Sequence, residues 1–263
     1  KFDRVSIIEN NQGQPCLVIV NNNTMEVFNV INNELISSSY IQELTAIEGE
    51  SQLFASAYNT IKGPMINVTT PFNPGIEINI LIENFSNPLN DAYLDQFYET
   101  PVDYNNSTII DIEMEGNLIV VLVDVGPLNR LILVDALTGN QEMISNPLWP
   151  SESPSIEGDY IAFLQRQITD PTPNLVPEDF NRDVFIWNIE DPNKEAIKIT
   201  VDNFDQENPH VLDNGVTWIE INENGDSTLV IYSLEKTFEE YSSVVLQSAI
   251  LMLIPLLLLL SHQ

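Results

Sequence analysis

The chain has 263 residues, 43% of them apolar, which is enough for a packed core and excludes a disordered polymer. Asp and Glu number 39 against 9 Lys and Arg, a formal net charge of −30. A surface of that sign repels nucleic acid and anionic lipid, excludes both as direct partners, and favours divalent cations, basic ligands or a salty medium.

From the N-terminus the chain reads as short apolar runs bounded by Gly, Asn, Asp or Pro. They fall at residues 5–8, 16–20, 25–30, 76–82, 118–123, 131–134, 160–164, 184–187, 216–219 and 229–232. Helical periodicity is nearly absent before the C-terminus, so the runs predict an all-β sandwich, barrel or propeller. Cys16 is the single cysteine and reads as a small buried residue, with no intrachain disulfide possible. The first residue is Lys1, with no leader in view, so a leader was removed or the chain is a piece of a longer one. Sequons at Asn22, Asn67, Asn84, Asn105 and Asn106 give weak support to export in an Asn-rich chain.

An internal repeat favours the propeller. Ile47-Glu48-Gly49-Glu50, Met114-Glu115-Gly116-Asn117, Ile156-Glu157-Gly158-Asp159 and Leu212-Asp213-Asn214-Gly215 each precede an apolar run. The Asx/Gly pairs are expected to supply the positive φ of a hairpin turn. A second run closed by Asn, Asp or Ser follows each, as in Leu131–Asp135, Val184–Asn188 and Leu229–Ser233. Units of this size are four-stranded blades, about five of them. They are expected near residues 1–40, 41–100, 107–146, 147–203 and 204–240, with loop insertions at 84–106 and 167–183.

Two stretches carry a family resemblance. Ser153-Pro154-Ser155-Ile156-Glu157-Gly158-Asp159-Tyr160 and Glu207-Asn208-Pro209-His210-Val211-Leu212-Asp213-Asn214-Gly215 resemble the TolB-like repeats of bacterial and archaeal cell-surface β-propellers. Asp183-Val184-Phe185-Ile186-Trp187-Asn188 matches the second half of that repeat. The resemblance covers residues 107–235 and fades toward the N-terminus. It implies a propeller fold and a protein-interaction or envelope scaffold, and it names no activity.

Catalytic material is sparse. There are two histidines, no Gly-x-Ser-x-Gly elbow and no His-Glu-x-x-His. A serine triad would have to use His210, which reads more simply as a structural polar residue at an inner strand. Glu115, Glu157 and Asp213 recur with the repeat and read as turn formers. Asn222-Glu223-Asn224-Gly225-Asp226 resembles a truncated calcium loop and reads as a hairpin turn around Asn224-Gly225. Trp187, Trp218, Phe185, Phe163 and Tyr232 hold the register of an inter-blade core, whereas Trp149 falls outside the strand rhythm and is expected to be exposed. Ligand contact is expected at Trp149, Arg166, Pro173, Asp179, Arg182 and His210, around the long insertion. No cofactor is expected, with Ca²⁺ as the one candidate.

At the C-terminus the stretch from Val244 to Leu260 carries no charge. In a helix it rises about 25 Å, at the short end of a bilayer span, and it is expected to anchor residues 241–263 in a membrane. The composite expectation is a membrane-tethered, extracytoplasmic propeller that binds a protein or ligand and catalyses nothing. The alternatives are a glycosidase using inner-strand carboxylates, a propeller separated from a peptidase domain, and a surface component bridged by divalent cations.

Overall fold

The computed structural model describes residues 4–10, 12–21, 24–40, 46–50, 53–60, 62–69, 77–83, 107–126, 128–166, 181–200 and 203–234. Pro173, Asp179 and the run from Val244 to Leu260 lie outside the described residues.

The described chain is an all-β propeller of antiparallel sheets, each a meander in chain order. Sheet one holds β1 (Arg4–Glu9), β2 (Pro15–Asn21), β3 (Thr24–Asn29) and β4 (Glu34–Tyr40). Sheet two holds β5 (Ala46–Glu50), β6 (Leu53–Thr60), β7 (Gly63–Thr69) and β8 (Glu77–Leu81). Sheet three holds β9 (Thr108–Glu115), β10 (Leu118–Asp124), β11 (Asn129–Asp135) and β12 (Gln141–Met143). Sheet four holds β13 (Ser151–Glu157), β14 (Tyr160–Arg166), β15 (Arg182–Asn188) and β16 (Ile197–Lys198). Sheet five holds β17 (Asp205–Leu212), β18 (Gly215–Ile221) and β19 (Ser227–Ser233). The first strand of each sheet touches the first strand of the next, so β1, β5, β9, β13 and β17 make up the inner wall.

The middle sheets explain why their strands are continuous apolar runs. In β10, Ile119, Val121 and Val123 pack toward sheet two, while Val120 and Leu122 pack toward sheet four. Both faces are buried, so alternation disappears from the sequence. Ala162 and Leu164 continue the pattern from sheet four onto Val216 and Trp218 of sheet five. Each such side chain removed from water contributes about 1.5–3 kcal/mol before chain entropy is counted. Trp187, Trp218, Phe163 and Phe185 are all buried in these junctions.

Two hairpins close as the repeat predicts. Gly116 and Gly158 sit at φ 58° and 55° between the first and second strands of sheets three and four. Gly49 corrects the expectation that it belongs to the same series. It lies within β5, and an added Cβ there would come within 2.3 Å of Ile8 Cγ2. Gly49 is therefore a close-approach glycine between sheets one and two, and the text match Ile-Glu-Gly-Glu is not a turn.

Candidate functional site on the inner strands

One position recurs along the inner wall, two residues before the strand meets its hairpin. It is held by Glu48 in β5, Glu113 in β9, Ser155 in β13 and His210 in β17. Neighbours in this row sense one another. Burial first, then the negative charges of Glu48 and Asp111, push the Glu113 carboxyl up to about 7. Glu48 Oε1 accepts the Gly49 N–H at 2.9 Å and the Ser6 hydroxyl at 3.2 Å. These bonds fix the Glu48 carboxylate in the row beside Glu113.

The other half of the row is built by two matching irregularities. Ser153 and Asn208 have φ of 48° and 49°, and each precedes a proline, Pro154 or Pro209. At both places the ladder to the next strand slips, between Glu152 and Ser155 and between Glu207 and His210. Proline donates no ladder bond, which makes it a natural occupant of a bulge, and a bulge re-aims the residue that follows. Here the re-aimed residues meet. Ser155 Oγ lies 3.1 Å from His210 Nδ1. The buried Val211 N–H donates to the same Ser155 Oγ at 3.1 Å, so the hydroxyl ties the ring of His210 to the backbone of its own strand. His210 is exposed and opens onto a groove of about 550 Å³, bordered also by Leu212, Asp213, Ile231 and Ser233.

At the opposite end of the inner strands, roughly 10 Å back along β13, lies an ionic cluster. Arg166 Nε donates to Glu152 Oε1 at 3.0 Å. Arg182 Nη2 donates to Asp205 Oδ2 at 2.5 Å and to Glu207 Oε1 at 2.8 Å. Burial opposes ionisation of Asp205, but hydrogen bonds from the Arg182 side chain and backbone outweigh it and hold the carboxyl below its usual range. Both arginines are consumed by acids of their own fold rather than presented as free cations.

The structure thus brings Arg166 and Arg182 into one cluster through Glu152, and places His210 apart from them beside Ser155. Trp149 corrects the expectation of exposure. It is half-buried against the core between sheets three and four, with its ring 6.4 Å from Phe185 and its carbonyl held by Gln165 Nε2 at 3.3 Å. The Asn222–Asp226 loop is a turn: Asn222 Oδ1 accepts the N–H groups of Asn224 and Asp226 at 2.9 and 3.0 Å. Among the described residues no group of three or more His, Cys, Asp or Glu is placed to hold a metal ion. Among them, too, no helix is long and apolar enough to cross a membrane. Sequence reasoning missed Ser155, Glu48 and Glu113 as neighbours. The only signal was the shared x-Pro-x of residues 153–155 and 208–210.

No protein-family model matches the chain, and no curated protein does. Solved structures do. The β-propeller domain of the Trilobed protease from Pyrococcus furiosus aligns with 12% identity and a TM-score of 0.57, over 92% of this chain and 71% of that one. Pyrococcus horikoshii acylaminoacyl peptidase aligns with 9% identity and a TM-score of 0.57, over 97% and 40%. Kuenenia stuttgartiensis hydrazine synthase aligns with 14% identity and a TM-score of 0.51, over 82% and 64%. The chain spans less than two thirds of the latter two chains. At these identities the likeness establishes the β-propeller fold alone. It nonetheless corrects the functional expectation. Propellers of peptidases stand among the similar structures, so the fold gives no support to a membrane-tethered scaffold defined by the absence of catalysis.

Proposed function

We propose that this propeller handles polypeptide for a peptidase-type hydrolase, taking an extended, basic segment along its acidic inner wall. The observation that carries the reading is the inner-strand row, in which burial and the negative charges of Glu48 and Asp111 together push the Glu113 carboxyl up to about 7. A lysine or arginine side chain would relieve that repulsion, and the neighbouring Ser155 and His210 add polar groups suited to a peptide backbone. The similarity to peptidase propellers supports the same reading. The x-Pro-x repeats at residues 153–155 and 208–210 support a TolB-like, extracytoplasmic variety of the fold.

Fluorescence anisotropy with labelled unstructured peptides tests it. A Lys/Arg-containing peptide should bind at least ten times more tightly than an acidic one at about 0.05 M salt, with the preference shrinking as salt rises. Glu48→Gln/Glu113→Gln should remove most of the preference. Equal affinity for both peptides, or indifference to the double substitution, overturns the reading. Chromatography of the same mixtures shows whether this chain cuts the peptide itself, which would move the hydrolytic chemistry onto it.

A further inference from the structure

Glu113 stands in the inner row on β9, the first strand of sheet three. The strands that pack on β9 are chiefly β5, β6, β7, β10 and β13. None of these strands, nor β9 itself, contains a lysine, arginine or histidine. What faces Glu113 from them is acidic or neutral. Glu48 comes from β5, and Asp111 from β9 itself. Val120 of β10 stands opposite it in the ladder, and β13 brings Ser155 to the row, with Glu152 and Glu157 to either side in that strand. On β6 the titratable group is Tyr58, whose hydroxyl donates to Asn79 Oδ1 at 2.9 Å, and β7 has none. Glu48 is tethered in place, because its Oε1 accepts both the Gly49 N–H and the Ser6 hydroxyl.

We propose that Glu113 exchanges a proton for the cation of the ligand: its carboxyl is neutral while the wall is empty and ionised when a lysine ammonium or arginine guanidinium lies beside it. This exchange rests on the reading of the inner wall as a site for basic peptide. An acid crowded by tethered negative charge and partly removed from water is neutralised either by a proton from solvent or by a positive group brought to it. The strands around Glu113 carry no such group, so proton and ligand compete for one carboxyl. As the basic side chain arrives, the O–H bond of the Glu113 carboxyl breaks and the proton passes to the buffer. The net charge of the occupied site is then the same as that of the protonated, empty one. The carboxyl takes up its proton at about 7, so the competition falls near neutrality. By linkage, whatever expels the proton is itself expelled by it, so acid weakens binding. A wall of this kind takes up basic peptide at neutral pH and releases it in mild acid.

Calorimetry of the full chain with a Lys/Arg-containing peptide is the test. The peptide has blocked termini and no histidine or acidic residue, so it does not itself titrate near neutrality. Measured at about pH 6.5 in two buffers of different ionisation enthalpy, binding should release about 0.5–0.8 proton per peptide. Affinity should rise at least tenfold from about pH 5.5 to about pH 8 and level off beyond. In Glu113→Gln, whose amide has the shape of the protonated acid, the proton release should vanish. Its affinity should stay within about threefold of the wild-type value at about pH 5.5 across the range. Glu48→Gln should still bind, with the midpoint of its pH profile moved to lower pH, a shift that a merely structural role for Glu48 would not produce. Preference for the basic peptide without proton release overturns the exchange and leaves the reading of the wall standing. Release that persists in Glu113→Gln also overturns it, and assigns the proton to another group such as His210 in the same row. Equal affinity for basic and acidic peptides overturns both.

Discussion

Ser155 Oγ, on the inner strand of sheet four, lies 3.1 Å from His210 Nδ1 on the inner strand of sheet five. Fifty-five positions separate the two residues in the chain, and the same hydroxyl accepts the Val211 N–H. The serine is a joint between two sheets before it is anything else. Ser155→Ala leaves a buried backbone N–H without an acceptor, and unfolding by urea should show a loss of about 1–3 kcal/mol. Hydrogen exchange should quicken at the Val211 amide. A loss confined to the noise of the midpoint would mean that water replaces the hydroxyl.

Ser153 holds a left-handed backbone at φ 48° just before Pro154. Ser153→Gly removes the steric cost and should leave stability level or raise it by up to about 1 kcal/mol. Ser153→Val, whose branched side chain tolerates that region poorly, should cost about 1–3 kcal/mol. Thermal midpoints that rank Val above Gly would show that the bulge is not the constraint described.

Glu113 titrates at about 7 in the fold against a usual carboxylate value of 4.5. The folded protein therefore holds a proton that the unfolded chain has released between those two values. Its contribution to stability is fully present below about pH 4.5 and is lost as pH rises through about 7. Glu113→Gln should flatten the fall in stability between pH 5 and 8 and be the more stable protein at about pH 8. Denaturation curves of both proteins at several pH values settle the sign, and parallel pH profiles would contradict it.

Arg182 gathers Asp205 and Glu207 with side-chain exposures of 18% for the arginine and 38% and 37% for the acids. Arg182→Ala should cost about 1–3 kcal/mol, chiefly by leaving the carboxylates to repel one another, and Arg182→Lys should recover only part because a lysine cannot serve two acids as a fork. Asp205, held below its usual range, supplies stability that is present above about pH 4 and lost as pH falls through its lowered value. In Arg182→Ala that acid-side loss should disappear from the pH profile.

The strand runs were legible because burial on two faces leaves an unbroken apolar signature, as in Leu118–Asp124 and Tyr160–Arg166. The same burial explains why Trp187 and Trp218 read correctly as core. Trp149 was misread because it lies in a turn whose packing partner, Phe185, comes from a strand 36 positions on, and no period links them. Gly49 was misread because a four-letter match was taken for a shared backbone conformation, whereas its neighbour Ile8 demands the missing Cβ. The Glu48, Glu113, Ser155 and His210 row was illegible for a related reason. Each member sits on a different inner strand, and its aim depends on where the hairpin falls and whether a bulge precedes it.

Among the described residues each core cluster is shared only by sheets adjacent in sequence, so cohesion there runs from sheet to sheet along the chain. Among the described residues sheet three shares a core cluster on both of its faces, and sheets one and five on one face each. Cohesion of this kind loosens from its tips: amide exchange should be fastest in β1–β4 and β17–β19 and slowest in β10 and β11, with intermediates that have shed a terminal sheet while the centre stays intact. A protease acting on such frayed states would trim the chain in units of a sheet.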